Sequence, residues 1–481
     1  MQSVGPSCRE QPADLMNKPP THILGRAPLQ KLGLCFFLLS MSSDGALASQ
    51  EVPAKLSGPS AQEVEVDFGT QAVRPTSLAT HPSQSVAAFG LRDGRVRSFN
   101  VATGESLASW KAGTGAISRL AYSPDGGVLA TFSSSDAIRL WGTKSWDLQG
   151  EIKLVEEKED RWFSGIIQFS ADGTRFVVSF PGEATSVWKT DDWTLAATIQ
   201  DQDYPVLALA WSDDGMLLAS MTEAGNAYLW SASTGELLGG PLEHDGLPGS
   251  DVAFRPGTHE LAASCRGLLV RVWNADEFTP LYDIPHPHLS QDPYWIGVEY
   301  SPDGKQLMTT HEAGYIRCWN SDDGSRQYEI DYWGGNHEPF VAHYVAGGSQ
   351  ILVDGNAWFH VGLVDAKEGT RLLSLDGKSL PLRLTGDGTT ILAQGYQSIQ
   401  VIDSKTGVER YSRAQYKDDK ELILTPALYY TGSSGVDALC QIKVGGKWGP
   451  LLRHREQLMK PKYVLQLAAG EKLERPTLKG E

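Results

Sequence analysis

Short runs of alternating apolar and polar residues recur along the chain and predict β-strands paired around tight turns. One such run, Ile117-Ser-Arg-Leu-Ala-Tyr122, comes before a turn and another, Val128-Leu-Ala-Thr-Phe132, follows it. Alternation over five or six residues has the period of a strand rather than that of a helix. The turn between them is Ser123-Pro-Asp-Gly126, in which Pro presets φ, Asp bonds nearby backbone and Gly accepts a positive φ. The pattern predicts an all-β chain built from hairpins.

This turn recurs at intervals of about 39 to 47 residues. The remaining strong copies are Ser170-Ala-Asp-Gly173, Ser212-Asp-Asp-Gly215 and Ser301-Pro-Asp-Gly304, and the weaker copies are His81-Pro-Ser-Gln84, Arg255-Pro-Gly-Thr258, Ala346-Gly-Gly-Ser349 and Thr385-Gly-Asp-Gly388. A period of this length with short strands is typical of the four-stranded blades of a β-propeller. Eight copies predict eight blades, and seven blades is the alternative.

A second marker follows 17 or 18 residues after each turn begins, where a bulky residue closes the third strand. Its copies are Phe99-Asn100, Trp141-Gly142, Trp188-Lys189, Trp230-Ser231, Trp273-Asn274, Trp319-Asn320, Val364-Asp365 and Ile402-Asp403. With their turns, these residues resemble the WD40 repeat family over about residues 64 to 414, with Trp-Asn, Trp-Ser or Val-Asp where that family often has Trp-Asp. The resemblance implies a single propeller of WD40-like four-stranded blades.

The WD40 resemblance also implies a buried network between an Asp in the turn before the third strand and a His near the start of the blade. Asp93 and Asp136 occupy that turn, whereas Glu223 and Glu312 replace the Asp in other copies, and the His is mostly missing. We therefore expect the blades to depend more on packing between neighbours. For ring closure, Val64-Glu-Val-Asp-Phe68 and residues 408–413 compete for the outer strand of the last blade, and the sequence leaves this open.

The period ends at about residue 415. Thr425-Pro426, Tyr429-Tyr430 and the following Ser-Ser-Gly435 resemble a short module found beside propellers in bacterial proteins that carry a caspase-like peptidase domain. A hairpin and a helix that cap the propeller fit the same residues. We therefore predict a signal peptide at 1–48, a linker at 49–62, a WD40-like propeller at 63–414, a β-rich C-terminal cap at 415–468 and a charged tail at 469–481.

The N-terminal residues predict export from the cytoplasm. A weakly basic lead ends at Lys31, an apolar run follows to Met41, and Ala46-Leu-Ala48 has the small-residue pattern of a signal-peptidase site, so cleavage is expected after Ala48. Met16 is an alternative start because the lead is long. We expect a secreted or periplasmic protein that does not insert into a membrane once the signal is removed. A buried helix or a membrane anchor is the less favoured alternative.

Composition and motifs argue against several classes of function. A formal net charge of −16 argues against nucleic acid as the partner. The sequence has no nucleophile elbow, no phosphate-binding loop and no His-Glu-x-x-His motif, so we expect no enzyme activity and no cofactor. The best metal candidate, His286 and His288 with Asp292, is expected to be solvated. Three cysteines follow the signal peptide without close spacing and are expected to be buried apolar side chains.

Four loops that join an outer strand to the next first strand combine carboxylates with aromatic residues, and such loops share one face of a propeller. Aromatic side chains anchor interfaces at low entropic cost. We therefore predict a scaffold that binds an unknown protein or peptide through this aromatic and acidic face. The alternatives are a propeller enzyme that uses the channel mouth, such as a quinoprotein-type dehydrogenase or a hydrolase, and a chain that assembles with partners through its C-terminal module. The candidate binding residues are Trp162, Tyr204, Tyr294, Trp295, Tyr332 and Trp333.

Overall fold

The computed structural model describes residues 54–55, 65–133, 137–153, 165–180, 184–199, 204–244, 247–266, 269–286, 296–311, 315–331, 341–354, 362–375, 381–444 and 447–471. Eight antiparallel sheets follow one another along these residues, and each begins as a simple four-stranded meander. The fold is an all-β propeller of eight blades, as the eight turns predict.

The strands of blades 1 to 4 are Pro75–Thr80, Val86–Leu91, Arg95–Asn100 and Ser106–Lys111; Ile117–Tyr122, Val128–Ser133, Ala137–Gly142 and Leu148–Lys153; Ile166–Phe169, Arg175–Ser179, Thr185–Lys189 and Leu195–Ile199; and Val206–Trp211, Leu217–Thr222, Asn226–Ser231 and Leu237–Glu243. The strands of blades 5 to 8 are Gly249–Phe254, Glu260–Cys265, Leu269–Asn274 and Thr279–Pro285; Ile296–Tyr300, Gln306–His311, Tyr315–Asn320 and Arg326–Asp331; Val341–Val345, Gln350–Asp354, Gly362–Asp365 and Arg371–Ser374; and Leu382–Leu384, Thr390–Gln394, Ser398–Asp403 and Glu409–Gln415.

The first strand of each blade is the innermost one. First strands of neighbouring blades contact one another around the ring, as in blades 1 and 2, 4 and 5, and 5 and 6, whereas the fourth strands carry exposed side chains such as Leu148 and Leu195. We call the space that the first strands enclose the lumen. The second and third strands hold the buried core, which lies between neighbouring blades.

Three blades bond the tryptophan that closes the third strand to a hydroxyl of the second strand. The indole N–H of Trp141 donates to Thr131 Oγ1 at 3.0 Å, that of Trp230 to Ser220 at 2.9 Å and that of Trp319 to Thr309 at 2.9 Å. Asp93 bonds Arg95 of its own turn rather than a histidine, with 2.9 Å between Oδ2 and Nε. Packing between blades therefore has to supply more of the stability, as the sequence suggests.

Neighbouring blades contact each other at one position that recurs around the ring. The turn before each outer strand holds a residue with positive φ that faces the outer strand of the preceding blade. Gly369 is such a turn residue, and a Cβ added to it would lie 2.6 Å from the ring of Tyr328. At another junction the sizes are reversed: Phe278 occupies the turn at φ 56°, and a Cβ added to Gly239 would lie 2.1 Å from its ring. At these two junctions, a bulky side chain on one blade fits against a glycine on the other.

The ring closes by the same contact. Tyr411 of blade 8 lies against Gly104 of blade 1 and donates its hydroxyl to the Val101 carbonyl at 2.8 Å, just as Tyr328 donates to the Ala366 carbonyl at 2.5 Å. No strand is exchanged at this junction among the described residues. The strand Glu409–Gln415 holds the outer position of blade 8. The other candidate for that position, residues 64–68, forms the strand Glu65–Asp67, which pairs with the strand Gln441–Val444 instead.

The C-terminal residues bind both sides of the closing junction. Strands Glu421–Leu424 and Tyr430–Gly432 extend blade 8, whereas Gln441–Val444 and Lys447–Pro450 form a second sheet with Glu65–Asp67 and Ala54–Lys55. The helices Arg455–Leu458 and Pro461–Ala468 follow. Val66 and Phe68 are buried in the core of this C-terminal segment, so the chain entering blade 1 is held by the chain leaving blade 8.

A carboxylate of the C-terminal segment completes blade 1. In blades 2, 5 and 6, an arginine on the third strand pairs with an acid 12 residues later on the outer strand, as Arg317 does with Glu329 at 2.6 Å. In blade 1 the corresponding pair is Arg97 and Ser109. Asp419 supplies the missing charge, since it accepts hydrogen bonds from Arg97 at 2.8 Å and Ser109 at 3.1 Å and also bonds Arg95. We call residues 416–471 the clasp.

Candidate functional site

One register position in the middle of the first strand recurs in all eight blades. The equivalent residues in blades 1 to 8 are Ala79, Ala121, Gln168, Ala210, Ala253, Glu299, His343 and Arg383. Gln168 and His343 are exposed although they lie mid-strand in the innermost position, which places their side chains in the channel. This position holds alanine in blades 1, 2, 4 and 5, where Ala79 and Ala210 are buried, and Glu, His and Arg in blades 6 to 8.

Two further charged side chains join this group from β-bulges. The register shifts just before Arg119 in blade 2 and just before Asp251 in blade 5. A bulge turns the neighbouring side chain away from its regular direction. Asp354, at the end of the second strand of blade 7, lies 3.7 Å from Arg383. We call Arg119, Asp251, Glu299, His343, Asp354 and Arg383 the lumenal cluster.

The three carboxylates of the lumenal cluster bond the backbone of the next blade. Val298 N–H donates to Asp251 at 3.0 Å, Tyr344 N–H to Glu299 at 2.8 Å and Leu382 N–H to Asp354 at 3.1 Å. The first strand is an edge strand, so its backbone N–H groups have no ladder partner on the lumenal side. The acids therefore join blades 5 to 8 at their inner edges.

Burial raises the pKa of two of these acids. Desolvation raises the pKa of Asp251 to about 7 and that of Asp354 to about 6, although the backbone N–H bonds and, for Asp354, the Arg383 charge oppose the shift. His343 Nδ1 lies 2.8 Å from Glu299 Oε2. Although desolvation lowers the pKa of His343, the Glu299 carboxylate outweighs it and raises that pKa above its usual value. The Glu299 carboxylate thus favours the charged form of the His343 ring.

The two arginines lie on either side of blade 1. Arg383 donates to the Leu382 carbonyl at 2.7 Å, and Arg119 donates to the Ser118 carbonyl at 3.3 Å. Burial and the nearby charge of Arg383 lower the pKa of Arg119 to about 10. Arg119 therefore remains protonated at neutral pH. The two guanidinium groups are cationic hydrogen-bond donors that lie on either side of blade 1.

One member of the lumenal cluster, Asp354, lies at the end of the channel that receives the loops from each outer strand to the next first strand, which we call the outer-to-inner loops. Asp354 marks this end, because it is the last residue of a second strand and lies opposite the conserved-type turn between first and second strands. Tyr204 lies on the same face at the entry to blade 4 and is 52% exposed. The other candidate residues, Trp162, Tyr294, Trp295, Tyr332 and Trp333, lie outside the described residues. The binding role of all six stays a prediction.

The structure describes one of the three candidate metal ligands, His286. His286 is buried, and Arg317 donates to its Nδ1 at 3.0 Å, so the neutral ring carries its proton on Nε2. Burial and the neighbouring Arg317 and His311 charges lower the pKa of His286 to about 3. His288 and Asp292 lie outside the described residues. Among the described residues, no group of three or more His, Cys, Asp or Glu side chains is placed to hold a metal ion.

The remaining described features add no reactive group. Cys265, Cys318 and Cys440 are buried free thiols, and burial raises the pKa of Cys318 and Cys440 to about 11. Such thiols are poor nucleophiles. Among the helices in the described part of the chain, none is long and apolar enough to cross a membrane.

Sequence comparison finds similarity to repeat proteins. Residues 104–142 match the family model "WD domain, G-beta repeat". The chain is 29% identical over 157 residues to WD repeat-containing protein 82 of Drosophila melanogaster, which covers 31% of this chain and 48% of that protein. It is 26% identical over 218 residues to Periodic tryptophan protein 2 of Arabidopsis thaliana, with 45% of this chain and 23% of that protein covered. The matches thus span less than half of these relatives.

Two more comparisons agree with the fold. Small ribosomal subunit protein RACK1y of Oryza sativa subsp. japonica is 26% identical over 143 residues, which is 28% of this chain and 40% of that protein. The crystal structure of the computationally designed Ika8 protein superposes with a TM-score of 0.53 at 15% identity, covering 72% of this chain and 97% of that one. At this identity the likeness shows the fold alone.

Proposed function

We propose that this WD40-like repeat protein is a non-enzymatic scaffold that binds a protein or peptide through the face carrying its outer-to-inner loops. The observation that carries the proposal is the concentration of recognition groups at this face, with charged side chains in the lumen and the exposed Tyr204 at the rim. WD-repeat relatives suggest a scaffold for protein interactions. The aromatic and acidic loops are predicted from the sequence to lie at the same end.

The alternative, a propeller enzyme that uses the channel mouth, is favoured by one observation. Convergent His, Asp and Arg side chains at the lumen are what such an enzyme requires. Against it, Asp251, Glu299 and Asp354 already accept backbone N–H groups of the next blade. A general base with its oxygens occupied in this way is poorly placed to take a substrate proton. We therefore favour binding over catalysis.

A photo-crosslinking experiment tests the binding face. We would place p-benzoylphenylalanine at position 204 and, as the matched control, at position 216, because Met216 is 66% exposed and directly follows the turn at the opposite end of the same blade. Both proteins would be incubated with an envelope fraction and the adducts identified by mass spectrometry. The proposal predicts a specific adduct from position 204. Equal adducts from both positions, or adducts from position 216 alone, would contradict it.

We further propose that the chain is exported and cut after Ala48. This rests on the residue pattern of the N-terminus alone. Expression in a bacterium, fractionation and N-terminal sequencing of the purified protein would test it. The proposal predicts a mature chain that begins at Ser49 in the periplasmic fraction, and an uncleaved cytoplasmic chain would reject it.

A further inference from the structure

The outer strand of blade 3 differs from the other outer strands in composition. An edge strand presents unpaired backbone groups, and proteins protect such edges with charged residues or proline. The strand Leu195-Ala-Ala-Thr-Ile199 contains neither. Every other outer strand contains at least one such residue, and these are Lys111; Glu151 and Lys153; Pro241 and Glu243; Pro280, Asp283 and Pro285; Arg326 and Glu329; Arg371; and Glu409, Arg410 and Arg413. Blade 3 therefore has the one outer edge that its own sequence leaves unprotected.

Blade 8 shows that an outer edge of this ring can accept a further strand. The clasp strand Glu421–Leu424 pairs antiparallel with the outer strand of blade 8 over four residues, from Ser412 to Gln415. In blade 3, the sheet ends at the outer strand within the described part of the chain. That strand has five residues, so it is long enough for a ladder like the one the clasp forms. The backbone of blade 3 can thus be extended in the same way.

Exposed leucines lie on blade 3 and on both neighbouring blades. The residue opposite the third-strand marker is Leu148 in blade 2, Leu195 in blade 3 and Leu237 in blade 4, and these are 48%, 50% and 47% exposed. In the other five blades this position is held by Ser106, Pro280, Arg326, Arg371 and Glu409. Exposed apolar residues that concentrate on one part of a surface mark interaction sites. The unprotected edge thus lies at the centre of an apolar arc of three blades.

The composition of the strand favours a second copy of the same strand as its partner. A twofold contact must be self-complementary, because the same surface is used on both subunits. In an antiparallel pair centred on Ala197, Leu195 lies opposite Ile199 and Ala196 lies opposite Thr198. The two large residues then pair with each other and no like charges meet, which is the arrangement that stabilises cross-strand neighbours. The strand is therefore suited to pair with itself.

We propose that two copies of this protein associate through the outer strands of their third blades, which join antiparallel into one continuous sheet. The backbone of Leu195–Ile199 supplies the hydrogen bonds, and Leu195 gains an apolar neighbour across the new pair. Because the paired strands run in opposite directions, the two propellers present their outer-to-inner loops in opposite directions. The contact lies on the outer circumference, so it does not depend on the protein-binding face proposed above.

The net charge of the chain adds a distinguishing property. Two copies that each carry a formal net charge of −16 repel each other at long range, whereas the strand contact contains no charge. Salt screens the repulsion between exposed charges and leaves the backbone and apolar contacts in place. The dimer should therefore become tighter as salt is raised, whereas a contact held by ion pairs would become weaker.

Sedimentation velocity of the purified protein, over loading concentrations of about 1 to 100 μM, tests the proposal. The wild type would be compared with Leu195→Lys and with the control Leu372→Lys, because Leu372 is 48% exposed on the outer strand of blade 7, on the opposite side of the ring. Circular dichroism would establish that both variants are folded. A second measurement avoids the charge: Leu195→Cys and Leu372→Cys would be treated with a short bismaleimide, and the linked peptides identified by mass spectrometry.

The proposal predicts a reversible monomer–dimer equilibrium that salt shifts toward the dimer. Each dimer contains two substituted strands, so Leu195→Lys should raise the dissociation constant by about tenfold or more, and Leu372→Lys should leave it unchanged. Links between two copies should join position 195 to position 195 and should be missing at position 372. A wild type that stays monomeric at the highest concentration, an equal effect of both lysine variants, or equal linking at both positions would overturn it. The crosslinking at position 204 does not use this strand, so failure of one proposal is distinguishable from failure of the other.

Discussion

Removing the charge of Asp419 tests whether the clasp completes blade 1. Asp419→Asn keeps the size of the side chain and suits its backbone, because Asn tolerates the positive φ of 59° found there. The substitution weakens the bonds to Arg97, Arg95 and Ser109. The Arg97 side chain is only 7% exposed, so its charge depends on nearby carboxylates.

The expected loss of stability is modest. Depriving a buried charge of its partner costs about 3–5 kcal/mol. Asp419 is itself 58% exposed, and Glu421 lies 3.6 Å from Arg97, so solvent and a second carboxylate reduce that figure. We expect a loss of about 1–2 kcal/mol in the free energy of unfolding, after this discount for screening. Urea titration followed by tryptophan fluorescence and circular dichroism measures it.

A matched control and a rescue make the result specific. Asp418 is exposed, has nearly the same φ, and makes none of the bonds to blade 1, so Asp418→Asn should leave stability unchanged. Ser109→Asp restores the strand acid present in blades 2, 5 and 6. It should stabilise the Asp419→Asn protein but destabilise the wild type, where two carboxylates would then face each other. Equal effects of Ser109→Asp in both backgrounds would refute the reasoning.

Three further predictions concern the ring. Tyr411→Phe removes the bond to the Val101 carbonyl and should lower the free energy of unfolding in urea by about 1 kcal/mol; an unchanged midpoint would contradict it. Gly239→Ala should cost about 1–3 kcal/mol because the new methyl meets the Phe278 ring, and Phe278→Gly in the same chain should recover most of that loss in the same assay. Between pH 7 and pH 5, His286 should reduce stability by about 2 kcal/mol, because its folded pKa of about 3 lies below the unfolded value of about 6.5 and the unfolded chain takes up the proton first. Urea titrations across pH should show a shallower slope in His286→Asn, and an identical slope would reject this.

The repeated turns predicted the blades because their cause is local. Each turn fixes a hairpin through its own side chain, as when Ser123 Oγ donates to Asp125 at 2.6 Å and accepts from Val128 N–H at 2.9 Å. Each third-strand marker closes a strand within the same repeat. Such short-range signals identify all eight blades. The assignment of the outer strand of blade 8 was left open because both competing segments have suitable patterns.

The lumenal cluster was not predicted, because its members come from different repeats. Glu299, His343 and Arg383 occupy one position in three successive blades, and in the sequence each belongs to an ordinary strand. Aligning the first strands by the turn that follows each of them would have shown charged residues at a position that holds alanine in four of the other five blades. Blade 7 obscures this, because Val345, opposite Gln350, takes the register position that the first turn residue Ser301 holds opposite Gln306 in blade 6, so the turn motif is offset by one residue. Tyr204 was proposed from the sequence because a rim aromatic needs no such alignment, and its binding role stays a prediction.

The role of the clasp can be explained by the way the ring closes, because no strand is exchanged between blades 8 and 1. The contact between blades 8 and 1 joins Tyr411 to Val101 across 310 residues, whereas the bond from Ser77 to Ile117 joins blades 1 and 2 across 40. Nearly three doublings of loop length cost about 2 kcal/mol more in closure entropy. The same type of blade contact is therefore less favourable at the closing junction than elsewhere. Residues 416–471 offset this difference, with Asp419 bonded to blade 1 and Tyr416 donating to the Phe68 carbonyl at 2.9 Å. A variant without the clasp should thus open first between blades 8 and 1, which hydrogen exchange of those two blades would detect.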